Sequence, residues 1–304
     1  MKRDLVSIFE LEERDIQRIL ERAAYFKKSN PQGYYPLKGK SLGLIFYKPS
    51  TRTRVSFEVA IYQLGGYPIF LKAQDLQIGR GEAIKDMGRV LSRYLNGIII
   101  RTFDQSDIEE LAAYATIPVI NALSALYHPC QILADIFTIQ EKFSSYKGIK
   151  VVYIGDGNNV ANSWLAAAAK LGITLSIASP SGYEPTGEII ARTKQIAQKG
   201  ANQLEIIHDP YRAVQGADII YTDVWTSMGR EEEEAERLKA FAGYQVNKEL
   251  IAATQKETFI MHCLPAHRGQ EITSDVLDGE NSLVYEQAEN RLHIHKAILD
   301  LWIT

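Results

Sequence analysis

The chain has 304 residues, 46% apolar and 23% charged, with a net charge of −3, which fits about two globular domains and excludes collagen-like, low-complexity or generally disordered organisation. The near-balanced charge supplies no field that favours nucleic acid, and two cysteines, Cys130 and Cys263, exclude a disulfide framework and a Cys-rich zinc site while suiting a reducing compartment. No apolar run is long enough for a membrane span, and the start MKRDLVSIFELEERD lacks the apolar stretch of a signal peptide, so the expected location is the cytoplasm.

Leu11, Ile16, Ile19, Leu20 and Ala23 fall at helical spacing and predict a first helix over 11–28. Short apolar runs then alternate with stretches long enough for a helix. The runs are 41–47, 68–72, 97–101, 118–121, 150–154, 174–178, 204–207, 218–222, 259–263 and 283–285. Several are continuous Ile, Val and Leu, as in strands buried on both faces. The alternation predicts an α/β fold with parallel sheets. A helix over 131–142, the polar stretch 143–148 and a new buried strand place a domain boundary at 143/144. The last helix, 287–302, belongs by sequence to either half.

Ligands of open α/β sheets sit beyond the carboxyl ends of strands, so each strand exit is a place to look for chemistry. Ser50-Thr51-Arg52-Thr53-Arg54 follows the first run and opens a helix. Hydroxyls, backbone N–H groups and the helix dipole make an anion site there, and Arg52 adds a planar fork for phosphate oxygens. Taken alone, the same residues are a capped helix with solvated arginines. Arg101 ends the run 97–101. His128-Pro129-Cys130-Gln131 puts proline in the first turn of a helix, with His128 at its mouth and Gln131 one turn in. Gly155-Asp156-Gly157-Asn158-Asn159 is half of a dinucleotide fingerprint, but Val160 occupies the third glycine position and Ser179-Pro180 stands where an acid is needed. It reads as a tight turn presenting Asn158 and Asn159 to a polar ligand. Asp223-Val224-Trp225-Thr226-Ser227-Met228-Gly229 follows another run. His262-Cys263-Leu264-Pro265-Ala266-His267-Arg268-Gly269 places a thiol at a strand exit, as a nucleophile or an orienting group, or as a buried structural cysteine. Glu289-Asn290-Arg291 opens the last helix and alone is a surface charge.

Five of these in order, STRTR, HPCQ, DVWTSMG, HCLPAHRG and QAENR, resemble the aspartate/ornithine carbamoyltransferase family over nearly the whole chain. The pair SMG and HCLP resembles its ornithine branch rather than its aspartate branch. One departure is the segment 121–127 before HPCQ, where relatives often carry a glycine and an acid. The resemblance implies two domains, each a mostly parallel sheet flanked by helices, with the active site in the cleft between them. Residues 1–143 would bind carbamoyl phosphate, 144–286 would bind ornithine, and the helix 287–304 would pack back on the first domain.

By the same resemblance, Ser50, Thr51, Arg52 and Thr53 hold phosphate. Arg101, His128 and Gln131 hold the carbamoyl group, helped by Arg291 and the backbone at Cys263 and Leu264. Asn159, Asp223, Ser227 and Met228 bind ornithine, and Gln77 reaches the site of a neighbouring subunit in a homotrimer. The implied reaction is direct attack of the ornithine side-chain amine on carbamoyl phosphate, giving citrulline and phosphate. Arg101 and His128 are suitable donors to the developing oxyanion, and Cys263 orients the amine. No metal or organic cofactor is called for, nor a membrane or nucleic-acid partner. Putrescine has no carboxylate for Asn159 and the SMG backbone, and acetylornithine offers no α-ammonium to Asp223, so the set favours ornithine. A nicotinamide dehydrogenase lacks its third glycine and ribose acid here. A non-catalytic paralogue would not need the motifs intact.

Overall fold

The computed structural model describes residues 2–29, 31, 33–76, 81–197, 204–226 and 231–304. The chain divides into two compact units, Met1–Phe137 with Glu289–Thr304, and Thr138–Ala288. The division falls inside a helix, upstream of the position 143/144 expected from composition. Among the described residues, no helix is long and apolar enough to cross a membrane.

The first unit begins with helix α1 (Glu13–Ser29), whose Ile16, Ile19, Leu20, Ala23 and Phe26 form one buried stripe. Strands β1 (Ser41–Phe46), β2 (Tyr67–Lys72), β3 (Gly97–Arg101) and β4 (Val119–Leu123) form a sheet in the order β2-β1-β3-β4, all parallel. Helices α2 (Thr51–Gln63), α3 (Ile84–Leu91) and α4 (Gln105–Tyr114) connect them, and α5 (Pro129–Phe143) follows β4. β3 is Gly-Ile-Ile-Ile-Arg and buried at every position. Ile45, Ile98, Ile100, Ile108, Leu111 and Val119 build one core. β2 is an edge strand and is only half-buried, with Tyr67 67% exposed, and Tyr62 of α2 is 75% exposed.

The second unit holds β5 (Lys150–Ile154), β6 (Thr174–Ala178), β7 (Leu204–Ile207), β8 (Ile219–Thr222) and β9 (Phe259–His262). Their order is β7-β6-β5-β8-β9, again all parallel. Helices α6 (Asn159–Leu171), α7 (Gly187–Ile196), α8 (Pro210–Ala213), α9 (Glu234–Ala240), α10 (Lys248–Ala252) and α11 (Ser274–Leu277) intervene, and α12 (Val284–Ile303) ends the chain. α6 is alanine-rich and buried along most of its length, with Trp164 fully enclosed. Small residues on all sides let it lie close against its neighbours.

The run 283–285 is not a strand. Ile260 donates to Asn281 O at 2.9 Å and accepts from Leu283 N at 2.8 Å, which pairs one residue, Ser282, with β9. Gln287 N then bonds Leu283 O at 2.8 Å, and the chain is already helical. Apolarity at Leu283 and Val284 reflects their burial at a helix entry.

Both strand orders reverse direction once, between β1 and β3 in the first sheet and between β5 and β8 in the second. These are the switch points at which crevices open in doubly wound sheets. At the second, the chain turns through Gly155 and Gly157. A Cβ on Gly157 would lie 2.2 Å from both Glu184 C and Pro185 N, so only glycine admits that approach. Gly157→Ala should cost about 3 kcal/mol, the upper end of overpacking. Gly187, at the start of α7, has open space around it, and Gly187→Ala should be neutral or stabilise by up to about 1 kcal/mol. Urea denaturation of the two variants side by side checks the contrast.

Candidate active site

The first constellation lies at the switch point of the first unit. Ser50 caps α2, its side chain accepting from Thr53 N at 3.3 Å, so the helix points its N-terminus beyond the end of β1. No acid stands in its first turn. Arg54 is occupied, with Nε 2.9 Å from Glu58 and its guanidinium 3.5 Å over the Phe70 ring. Among the described residues, Arg52 has no acidic partner, and its half-buried fork remains for a ligand. Phe46 and Arg101 are register partners at the ends of β1 and β3. Between β3 and β4 the register shifts by one residue after Ile100, leaving Ala122 extra. Such a bulge re-aims the next side chain, here Arg101, which is 8% exposed.

His128 and Gln131 follow β4, and both are buried. Gln131 Nε2 bonds Asp135 Oδ1 at 2.8 Å, while its Oε1 has no hydrogen-bond partner among the described residues. Arg291, on α12, donates from Nη2 to Thr53 Oγ1 at 2.7 Å. The last motif of the chain is thus brought to the first. Burial, then the guanidiniums of Arg291 and Arg101, hold His128 well below the ordinary histidine range, with His295 and Lys48 adding to the effect. It is a neutral imidazole at pH 7, able to donate a hydrogen bond without carrying charge. Lys48, between β1 and the cap, is buried, and its ammonium sits 4.2 Å over the Phe103 ring. Nothing in its sequence context separates it from a solvated lysine.

The second constellation lies beyond β5, β8 and β9. Asn158 Oδ1 accepts from Val160 N at 2.9 Å and Ala161 N at 3.2 Å, capping α6. Its Nδ2 donates to Asp223 Oδ2 at 2.8 Å. Asn158 is therefore a cap and a carboxylate clamp, not a side chain held out to a ligand as the turn alone implies. Asn159 is half-buried in the first turn. Cys263 Sγ lies 3.1 Å from Asp223 Oδ1. Tyr153 donates to Asn158 Oδ1 at 3.2 Å, and burial, then Asp223, push its phenol well above the ordinary range. Cys130, by contrast, is wholly buried, with its thiol pushed up to about 12. Gln77, Ser227 and Met228 lie outside the described residues.

Two supporting groups were not singled out from sequence. Arg237 is 2% exposed and binds Asp156 at 3.1 Å, Trp225 O at 2.9 Å and Glu233 at 2.8 Å. It ties the turn after β5 to the segment after β8. Its position four residues beyond Glu233 reads as an ordinary helix pair, and the two other partners are distant in sequence. Glu271 is wholly buried against His262, Nε2 to Oε1 3.0 Å. Asp223, His262 and Cys263 are close enough to share an ion, but His262 Nδ1 accepts from Leu264 N at 2.8 Å and Nε2 faces Glu271. Both ring nitrogens are engaged, which leaves two ligands, too few for a structural site.

The two switch points of this α/β protein thus differ, one cationic around a neutral histidine and the other joining a thiol to a carboxylate. The family model described as "Aspartate/ornithine carbamoyltransferase, carbamoyl-P binding domain" matches residues 3–141, and "Aspartate/ornithine carbamoyltransferase, Asp/Orn binding domain" matches 147–302. The chain belongs to the aspartate/ornithine carbamoyltransferase family. It is 55% identical to an ornithine carbamoyltransferase of Syntrophus aciditrophicus, over 100% of both chains. It is 53% identical to an anabolic ornithine carbamoyltransferase of Pyrococcus furiosus, covering 98% of this chain and 96% of that one. A solved structure of ornithine carbamoyltransferase from Pyrococcus furiosus superposes with a TM-score of 0.95 at 53% identity, covering 99% of this chain and 97% of that one.

The buried histidines have a consequence for stability. His128 and His295 are both held well below the ordinary range, the second by burial and then Arg291. The unfolded chain protonates each near pH 6.5. Below that pH the unfolded state binds more protons than the folded one, so stability falls as pH drops toward the folded-state values. Urea midpoints measured from pH 8 to pH 5 should hold steady to about 6.5 and then decline, at up to about 1.4 kcal/mol per pH unit for each histidine. His295→Asn, folded, should show a shallower decline.

Proposed function

We propose that this chain is an ornithine carbamoyltransferase, joining carbamoyl phosphate and L-ornithine to give L-citrulline and phosphate. One observation carries the choice of acceptor. Cys263 and Asp223 meet at 3.1 Å beyond the ends of β9 and β8, a carboxylate suited to an α-ammonium beside a polarisable thiol suited to a side-chain amine. A dicarboxylate such as aspartate would meet like charge at Asp223. Full-length identity above 50% to proteins named for the ornithine reaction supports the same choice.

In this reading the first unit holds carbamoyl phosphate. Ser50, Thr51, Arg52 and Thr53 take the phosphate, using the N-terminus of α2. Arg101 and neutral His128 donate to the carbonyl oxygen, and Gln131 Oε1 accepts from the carbamoyl amino group. Arg291 steadies Thr53 through their 2.7 Å bond. The second unit holds ornithine through Asn159, Asp223, Ser227 and Met228. Asp223 pairs with the α-ammonium and Cys263 orients the side-chain amine, which gives its extra proton to solvent before it attacks. The neutral amine nitrogen attacks the carbonyl carbon, the carbon–oxygen bond to phosphate breaks, and phosphate leaves with the electron pair and takes up the N–H proton that the attacking nitrogen sheds. Negative charge passes from the carbonyl oxygen to phosphate, and each position has preorganised donors. Ordering both substrates supplies the effective concentration. Leu264 N–H is already spent on His262, so its carbonyl is the backbone group left to accept from the carbamoyl amide. We place the protein in the cytoplasm, where its free thiols Cys130 and Cys263 persist.

A citrulline assay with ornithine, putrescine, acetylornithine and aspartate side by side tests the reading, and turnover should require ornithine. Arg52→Lys keeps the charge and loses the fork. It should raise the carbamoyl phosphate KM or cut kcat by about tenfold, a loss of about 1.4 kcal/mol. Wild-type kinetics in that variant would remove Arg52 from the phosphate site.

We also propose a homotrimer with shared sites. The exposed Val55 and Tyr62 of α2 and Tyr67 of β2 are apolar surface available for self-association, while the three-fold order and the reach of Gln77 into a neighbour rest on the family resemblance. Mixing two inactive variants, Gln77→Ala and Arg101→Ala, should restore activity that neither has alone, because some interfaces pair intact partners. Hybrids detected by native mass measurement without recovered activity would overturn shared sites.

A further inference from the structure

The histidine that begins HCLP has no part in the chemistry above, yet it is among the most thoroughly engaged side chains in the second unit. His262 ends β9 and is 1% exposed. Its backbone N–H donates to Gln287 Oε1 at 3.0 Å, and Gln287 Nε2 lies 3.1 Å from the Tyr221 hydroxyl. Its ring bridges two groups. Nδ1 accepts the N–H of Leu264 at 2.8 Å. A nitrogen that accepts from an amide carries no hydrogen, so the ring proton sits on Nε2 and is donated to Glu271 Oε1 at 3.0 Å. The same oxygen takes the His267 N–H at 2.6 Å. Between the two ends of this clamp sits Cys263. Leu264 itself has φ +55°, a left-handed conformation that costs a leucine on the order of 1–3 kcal/mol unless neighbouring bonds hold it.

We propose that His262, fixed in one tautomer by Glu271, is a positioning residue for the Cys263–Leu264 backbone, and this rests on the carbamoyltransferase reading above. By holding the Leu264 N–H from behind, it keeps that residue left-handed. The turn then holds the Cys263 thiol against Asp223 and fixes the direction of the Leu264 carbonyl. His262 touches neither substrate. Glu271 acts one step further back, by denying the ring its other tautomer.

The two amide side chains separate these roles. Asparagine places an oxygen close to the position of Nδ1, and glutamine places its head close to Nε2. His262→Asn keeps the acceptor for Leu264, and its carbamoyl phosphate kcat/KM should stay within about fivefold of wild type, the worth of one neutral hydrogen bond. His262→Gln keeps a partner for Glu271 and loses the acceptor. It should lose about thirtyfold or more, mostly in the carbamoyl phosphate KM, as misplacement of a substrate contact does. Glu271→Ala should resemble His262→Gln, and Glu271→Gln, which still accepts, should resemble wild type. Amide hydrogen exchange at Leu264 gives a readout without substrate, protected in wild type, His262→Asn and Glu271→Gln, and fast in His262→Gln and Glu271→Ala.

Equal kinetics and equal Leu264 exchange in the Asn and Gln variants would overturn the proposal. So would activity losses that follow the thermal midpoint rather than the Leu264 exchange. Should His262→Gln not fold, the Glu271 pair makes the same comparison. Absence of citrulline formation by the wild type refutes the functional reading alone, and the exchange pattern still decides the clamp.

Discussion

Parallel pairing is the constraint from which the rest of this molecule follows. In each unit every strand runs the same way, so all carboxyl ends share one edge and each return trip needs a helix. The helices must bury their apolar stripes on the sheet faces, which leaves loops at the edges free of packing duty. One reversal of strand order then opens a gap between two neighbouring loops. Ser50–Thr53 and Arg101 come from the two strands that flank the first such gap, and Asn158 and Asp223 meet across the second. Chemistry is assembled from distant segments because the topology has no other place to put it.

The two edges are built on different electrostatic terms. Around His128 the neighbouring charges are cations, and the histidine answers by staying neutral. Positive charge there comes from Arg291, Arg101 and Lys48 around the ring and not from the ring itself. At Asp223 the order is reversed. Asn158 occupies one carboxylate oxygen and Cys263 approaches the other, so the carboxylate is aimed before any cation arrives. Both arrangements are preorganised donors and acceptors, with the reorganisation done at folding.

Most of the fold was legible because parallel strands are buried on both faces and leave continuous apolar runs. β3, β5, β6 and β7 have the bounds their runs had. The run 283–285 failed for the same reason that others succeeded, since burial alone does not distinguish a strand from a helix entry. At the first edge, STRTR, Arg101, His128 and Arg291 were legible from resemblance, and the Thr53–Arg291 bond links segments that only the folded chain brings together. Supporting groups were harder to see. Asn158 looked like a ligand contact because its capping role depends on where α6 begins. Arg237 was illegible because its partners Asp156 and Trp225 O lie outside its own helix and an arginine among acids reads as solvated surface, and Glu271 because only the folded turn closes it onto His262 and the His267 N–H.

The burial of Cys130 also has a chemical consequence. Alkylating reagents attack thiolates, and a thiol whose pKa is about 12 is almost wholly protonated at neutral pH. It is sealed from solvent as well. Only Cys263, half-open and set against Asp223, is left to react. The native protein therefore labels as though it had a single cysteine. A spectroscopic tag, a heavy atom or a crosslinker added to it reports from beside the Asp223 carboxylate without any engineered substitution, while the second thiol, exposed only by unfolding, counts the denatured fraction.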